Sequence, residues 1–158
     1  MQWRFFADNT MDVHQDFKEL LALLNEHKVE YLIVGGYALA FYGAPRFTGD
    51  IDVYVCPSSE NAERIFSSLI AFGFRPGDIS REDFQSPDKV VRLGVPPVRV
   101  DLITSISGVS WEEAQANKEP GVFGDVPVFY IGRTQFIANK RASARKKDLA
   151  DLEALGEE

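Results

Sequence analysis

The most constraining feature of this sequence is a pair of aspartates, Asp50 and Asp52, at the head of a predicted β-strand over residues 51–55. Side chains alternate between the two faces of a strand, so both carboxylates point to the same face. Two like charges this close repel each other, and a fold keeps them together mainly when a cation lies between them. Alone, the pair also fits the solvated start of a strand, because 24 acidic residues among 158 produce such pairs by chance.

Two glycines upstream give the aspartate pair a more specific meaning. Gly35-Gly36 follows a short apolar, β-prone run at 31–34 and precedes a short predicted helix at 37–42. Glycines between a strand and a helix have no side chains, so an anion can approach the backbone N–H groups at the start of the helix. The pattern therefore indicates a site for a bound anion beside two carboxylates.

A third carboxylate, Asp101, lies inside an apolar strand predicted over residues 98–104. An unpaired buried carboxylate is costly, so we expect a bound cation or strong hydrogen-bond donors beside it. The structural alternative to a bound ion is a salt bridge to Arg46, Arg99 or Lys140.

The remaining pattern alternates helices with strands and predicts a single domain over residues 1–158, without repeats or long linkers. Apolar periodicity predicts helices at 13–27, between Pro57 and Gly73, at 111–118 and from 134 onward, and strands at 90–93, 98–104 and 126–131. The strands at 90–93 and 98–104 flank a turn and form a predicted hairpin. The expected fold class is α/β (α+β), with a mixed β-sheet flanked by helices and a short helical C-terminal tail at about 134–155.

The composition is that of one globular domain, with 45% hydrophobic and 26% charged residues. No apolar run reaches the ~18 residues that cross a bilayer, and the first 16 residues lack the apolar block of a secretory signal. The single cysteine, Cys56, allows no intramolecular disulfide. We therefore expect a cytoplasmic protein with no membrane partner.

Basic residues are concentrated near the end of a chain whose net charge is −7. The segment 133–147 contains six of them and no acid: Arg133, Lys140, Arg141, Arg145, Lys146 and Lys147. A local basic face on an acidic body suits an anionic small molecule or one end of a nucleic acid, and the alternative is a solvated helix surface. We expect Lys140 to reach a site, and Arg145, Lys146 and Lys147 to be solvated or to contact an RNA backbone.

In combination, these motifs resemble the nucleotidyltransferase fold of the DNA polymerase β superfamily, over roughly residues 13–155. The residues that match its signature are Val34, Gly35, Gly36, Asp50, Asp52 and Asp101, with thirteen residues between the second glycine and the first aspartate. The segments 46–49 and 139–152 are similar to those of the AbiEii-like branch of minimal nucleotidyltransferases.

The resemblance implies transfer of a nucleoside monophosphate from an NTP, such as ATP, to a hydroxyl group, with release of pyrophosphate. It implies that Asp50, Asp52 and Asp101 are the catalytic carboxylates and bind Mg²⁺ (or Mn²⁺), with Asp101 nearest the acceptor hydroxyl. Two metal ions ~3.5–4 Å apart stabilise the attacking and leaving oxygens of such a displacement. The residues implied to bind the nucleotide are Gly35, Gly36, Arg46, Thr48, Lys140 and Asp148.

The acceptor stays open between an RNA 3′ end, a side chain of a partner protein and a small hydroxylated antibiotic. Larger members carry a second helical domain, so we expect the acceptor site to be completed by another subunit, in a homo-oligomer, or by a toxin–antitoxin partner. The alternative function is a catalytically inert binding module or antitoxin-like partner protein. The three retained carboxylates argue against it, because a protein that binds no metal has no need to keep all three. A phosphohydrolase is a weaker alternative, because the usual accompanying histidines are missing.

Overall fold

The computed structural model describes residues 13–45, 49–95 and 98–157. Six strands form one sheet: β1 (Tyr31–Val34), β2 (Asp50–Val55), β3 (Val90–Val95), β4 (Val98–Ile103), β5 (Glu119–Phe123) and β6 (Val126–Tyr130). The helices are α1 (Val13–Glu26), α2 (Gly35–Phe41), α3 (Ser59–Phe72), α4 (Trp111–Ala116), α5 (Arg133–Ser143) and α6 (Lys146–Ala154). Short 3₁₀ turns lie at Pro76–Asp78 and Arg81–Phe84.

The sheet is mixed and has the strand order β3-β4-β2-β1-β6-β5. Strands β2 and β4 run parallel, as do β1 and β6, and the other three neighbouring pairs are antiparallel. The mixed sheet with flanking helices and the β3–β4 hairpin confirm the predicted fold class. None of the helices in the described part of the chain is long and apolar enough to cross a bilayer.

The core forms where the apolar stripes of α1 and α3 pack together and onto the sheet. In α1 the buried residues are Phe17, Leu20, Leu21 and Leu24, at the helical spacing that the sequence predicts. In α3 the corresponding stripe is Ala62, Ile65, Leu69 and Phe72. This core packs against one face of β1 and β2. It therefore fixes the end of β1, which leads into Gly35 and Gly36, and the start of β2, which carries Asp50 and Asp52.

A buried asparagine joins α3 to the ends of the two central strands. Asn61 accepts a hydrogen bond from the backbone N–H of Glu30 at 2.8 Å. Its amide nitrogen donates to the carbonyl oxygens of Glu30 and Cys56, at 3.1 and 3.0 Å. These bonds satisfy buried backbone groups and hold the start of β1 beside the end of β2.

Three elements differ from the sequence-based expectation. Strand β5 was not predicted, since Pro120 and Gly121 disfavour strands, but β5 is an edge strand, where a proline is tolerated. The helical tail is two helices rather than one, because Ala144 takes a left-handed conformation (φ 51°) between α5 and α6. Helix α2 also begins at Gly35, two residues earlier than predicted.

Candidate functional site

The register of two parallel strands brings the predicted carboxylates together. Asp52 of β2 lies directly opposite Asp101 of β4, and Asp50 lies opposite Arg99. Since side chains alternate along each strand, all four project from the same face of the sheet. Asp101 is buried, while Asp50 and Asp52 are partly buried. The strand register therefore places these three acids on one face of the sheet, on adjacent strands.

Burial, together with the negative charges of Asp101 and Asp50, raises the pKa of Asp52 to about 6. The positive charges of Lys147 and Lys140 act in the opposite direction on the same carboxyl. The pKa of Asp101 is also raised, chiefly by burial, against the lowering effect of nearby arginines. The site thus concentrates negative charge in a poorly hydrated place, which favours any cation that can enter it.

Gly35 is required by the position of the Asp52 side chain. Its backbone is left-handed (φ 67°), a conformation that other residues rarely adopt. A Cβ atom at this position would overlap the Oδ2 atom of Asp52 and lie 3.0 Å from its carboxyl carbon. The first glycine of the motif therefore lets β1 turn into α2 directly beside the carboxylate.

An arginine lies between two of the carboxylates. The Nη2 atom of Arg99 is 3.5 Å from Oδ2 of Asp50, and its Nε atom is 3.3 Å from Oδ1 of Asp101. A second arginine, Arg92 of β3, approaches the same Asp101 oxygen at 3.9 Å. Of the cations considered from the sequence as partners for Asp101, Arg99 lies beside it, Lys140 pairs with Asp148 and Asp151 instead, and Arg46 lies outside the described residues.

The donor chemistry of the three acids suits a hard divalent cation, which prefers carboxylate oxygens. The buried Oδ1 atom of Asp101 has no hydrogen-bond partner among the described residues, so an oxygen is available for another ligand. Within residues 13–45, 49–95 and 98–157, however, no three acidic, histidine or cysteine side chains stand close enough to hold a metal ion. The metal therefore stays a prediction.

A cleft of about 430 Å³ opens beside Asp52, and it is lined by the C-terminal end of β1 and by residues of α5 and α6. Gly35 and Asp52 line it, together with the basic side chains of Lys140, Arg145 and Lys147, which make up its basic wall. The other polar residues that line it are Ser105, Ser107, Asn139 and Ser143. The cleft thus brings the carboxylate of Asp52 and several cations into one cavity, as a site for a metal-bound anion requires.

Lys140 is held in this cleft by a buried ion-pair network. Its Nζ atom lies 3.2 Å from Oδ1 of Asp148 and 3.1 Å from Oδ2 of Asp151. Asp148 also accepts hydrogen bonds from the backbone N–H and the Nε atom of Arg145, at 3.1 and 2.7 Å. Burial would raise the pKa of Asp148, but the hydrogen bonds from Arg145 and the charge of Lys140 outweigh it and lower that pKa.

Comparison with known proteins assigns the family. Residues 13–158 match the protein family described as nucleotidyl transferase of unknown function (DUF2204). The chain belongs to this nucleotidyltransferase family. A search of curated proteins finds no match.

Two solved structures share the nucleotidyltransferase fold with this chain. One is TM1012 from Thermotoga maritima, assigned as a nucleotidyltransferase, with a TM-score of 0.59 and 12% identity over 94% of this chain and 93% of that one. The other is the lincosamide antibiotic adenylyltransferase LnuA bound to lincomycin, with a TM-score of 0.58 and 13% identity over 90% of this chain and 95% of that one. At these identities the likeness shows the fold.

Not every predicted site residue of this nucleotidyltransferase falls in the described structure. Arg46 and Thr48 lie outside the described residues, so their roles stay predictions. Lys147, which we expected to be solvated, is exposed but lines the cleft and acts on Asp52. The serines of the cleft, Ser105 and Ser107, were missed, although their place directly after the strand of Asp101 was a usable signal.

The raised pKa of Asp52 predicts how the stability of this nucleotidyltransferase depends on pH. Between pH 3.8 and about 6 the folded state retains a proton that the unfolded state has lost, so stability falls as pH rises through this window. Asp52→Asn removes this titration. The variant should gain about 2–3 kcal/mol over the wild type between pH 4 and pH 7, since one pKa unit corresponds to about 1.4 kcal/mol.

The measurement is urea denaturation of both proteins at several pH values, in EDTA to remove divalent ions. Asp78→Asn, which removes an exposed carboxylate far from the site, is the control for loss of charge. A difference between Asp52→Asn and wild type that stays constant across this pH range would contradict the raised pKa.

Proposed function

We propose that this protein transfers a nucleoside monophosphate from an NTP to a hydroxyl group, with release of pyrophosphate, in a divalent-metal-dependent reaction. The observation that carries the proposal is the position of Asp52. Its carboxylate lies opposite Asp101 and also lines the cleft that Lys140 and Lys147 line. Such an arrangement suits a triphosphate whose negative charge is shared between protein cations and bound metal.

Three carboxylates of the proposed site, Asp50, Asp52 and Asp101, would hold Mg²⁺ or Mn²⁺. The bound metal would supply electrostatic stabilisation of the oxygens that attack and leave the transferred phosphorus. Asp101 would lie nearest the acceptor and take the proton of its hydroxyl group, a role that its raised pKa favours. With a pKa of about 6, Asp52 is mostly ionised at neutral pH and able to bind a cation.

The triphosphate would lie along the basic wall of the cleft. The cleft volume of about 430 Å³ falls within the range of roughly 300–1,000 Å³ found for small-ligand sites. Gly35 and Gly36, where backbone N–H groups begin α2, would bind phosphate oxygens as the family resemblance implies. Arg46 and Thr48, which precede β2 in the sequence, would also contact the nucleotide, as the family resemblance implies.

Lys140 and Lys147 would contribute differently to nucleotide binding. Lys140 is buried and already paired with Asp148 and Asp151, so its charge is largely neutralised locally. Lys147 forms no ion pair with any residue in the described ranges, so its charge is available to a phosphate. Asp148 would act on the nucleotide through Lys140 and Arg145, whose positions it fixes.

The acceptor is the least constrained part of the proposal. The acceptor hydroxyl group near Asp101 could belong to an RNA 3′ end, to a side chain of a partner protein or to a small hydroxylated antibiotic. A second subunit or a toxin–antitoxin partner would complete the acceptor site, and the reaction would take place in the cytoplasm. The alternative of an inert binding module is favoured by one observation, the arginine that lies between Asp50 and Asp101.

The two neighbouring lysines of α6 test the nucleotide site. Lys147→Met should weaken NTP binding about tenfold, because removing a cation that contacts a phosphate in a charge-assisted hydrogen bond costs on the order of 1–2 kcal/mol. Lys146→Met removes the same charge from a residue that does not line the cleft, and should leave affinity within about twofold. Calorimetry with Mg²⁺ and each NTP measures both affinities. Equal affinities for the two variants would place the triphosphate elsewhere.

The carboxylates test the transfer reaction. The purified protein is incubated with Mg²⁺, each labelled NTP and separate RNA, protein and small-molecule fractions. Asp101→Asn should bind NTP nearly as wild type yet lose transfer by a factor of about 10³ or more, because it serves the acceptor side. Asp52→Asn should lose both binding and transfer, because Asp52 faces both the cleft and Asp101.

The control is Asp78→Asn, which should transfer label as wild type. Metal-dependent NTP binding without transfer to any fraction would favour the inert binding module. Transfer that persists in Asp52→Asn and Asp101→Asn would show that these carboxylates are not the catalytic groups.

A further inference from the structure

We propose that Arg99 is an internal counter-cation of the site, whose guanidinium group competes with a divalent cation for Asp50 and Asp101. Its guanidinium group spans these two carboxylates, and it must turn away before a metal ion can bind both. The inference rests on the proposed function, and it adds a constraint on when the metal can enter. It predicts that the nucleotide-free protein binds divalent cations weakly.

The strand register fixes this arginine in place. Arg99 is opposite Asp50 across the β2–β4 pair and two residues before Asp101 on its own strand, so it shares a face with both. One nitrogen lies 3.5 Å from Asp50 and another lies 3.3 Å from Asp101. The planar fork of a guanidinium suits two acceptors at once, unlike the single ammonium of a lysine.

The contact with Asp101 is electrostatic rather than a well-formed hydrogen bond. The Nε atom of Arg99 and the Oδ1 atom of Asp101 are both buried, and among the described residues neither has a hydrogen-bond partner, despite their separation of 3.3 Å. Buried polar atoms are rarely left so, because each unsatisfied group carries a desolvation penalty. A metal ion bound to Asp101 would coordinate its Oδ1 atom. Once turned away from the acids, the Arg99 side chain could donate its Nε–H to water.

The neighbouring Arg92 provides a natural control within the same site. It lies opposite Asp101 on β3 and approaches the same oxygen at 3.9 Å. Its side chain is 64% exposed, against 24% for Arg99, so solvent screens its charge more strongly. The structure gives Arg92 no ion pair with Asp50 among the described residues. Of these two arginines, Arg99 is therefore the one that pairs with both carboxylates.

The test is Mn²⁺ binding to the nucleotide-free protein, followed by the electron paramagnetic resonance signal of free Mn²⁺. Arg99→Gln should bind Mn²⁺ about tenfold or more tightly than wild type. An arginine within about 4–6 Å lowers the pKa of a carboxyl group by roughly 1–3 units, and the same positive charge opposes the binding of a second cation to that carboxylate. Arg99→Met, a second neutral variant that keeps the aliphatic stem, should behave alike. Arg92→Gln should change affinity by less than about threefold, because its charge is screened.

A double variant tells where the additional affinity arises. Arg99→Gln with Asp50→Asn should lose the gain, because the metal would no longer have both carboxylates. Thermal melting of each variant confirms that the compared proteins are folded. Wild-type affinity in both Arg99→Gln and Arg99→Met would overturn the inference, and the proposed transferase function would stand if Mn²⁺ still bound together with an NTP. Absence of Mn²⁺ binding in every variant, with and without NTP, would overturn the metal-dependent function itself.

Discussion

The repulsion between carboxylates on adjacent strands is the constraint that the neighbouring residues must offset. Parallel pairing of β2 with β4 sets Asp52 against Asp101, and alternation along β2 adds Asp50 on the same face. Burial raises the pKa of Asp52 and of Asp101, and the negative charge of Asp50 raises both as well. Gly35 leaves room for the Asp52 carboxylate, and Arg99 spans the other two acids. Each of these features is explained by the need to hold three negative charges in a small volume.

The basic wall of the cleft depends on a second charged cluster, which lies between α5 and α6. Lys140, Asp148 and Asp151 are all buried, and removing one partner from such a cluster typically costs about 3–5 kcal/mol because a buried charge is left uncompensated. The cluster also fixes the start of α6, where Asp148 binds Arg145, and thereby directs Lys147 toward the cleft. Substitution of Lys140 can therefore lower activity by destabilising the fold, so the stability of such a variant must be measured as well. Substitution of the exposed Lys147 tests ligand binding more directly.

Much of this arrangement follows from local sequence pattern. The strand periods, the glycine pair and the positions of Asp50, Asp52 and Asp101 predict the sheet and the meeting of the acids. Other features depend on tertiary contacts that no local pattern contains. The sequence offered three cations for Asp101, and only the register of β4 selects Arg99. Strand β5 forms at the edge of the sheet although Pro120 and Gly121 have low strand propensity. The left-handed residue between α5 and α6 is Ala144 rather than glycine, so the sequence contains no signal for the break.

The central claim is that the acids of β2 and β4 and the basic cleft form one metal-dependent nucleotide site. A crystal structure with Mn²⁺ and a non-hydrolysable NTP analogue tests it most directly, because anomalous scattering locates the manganese independently of the protein. The account predicts an anomalous peak among Asp50, Asp52 and Asp101, with the phosphates in the cleft near Lys147 and the Arg99 side chain turned away from the acids. Phosphates bound outside this cleft, or manganese absent from these carboxylates in a nucleotide-bound crystal, would contradict it.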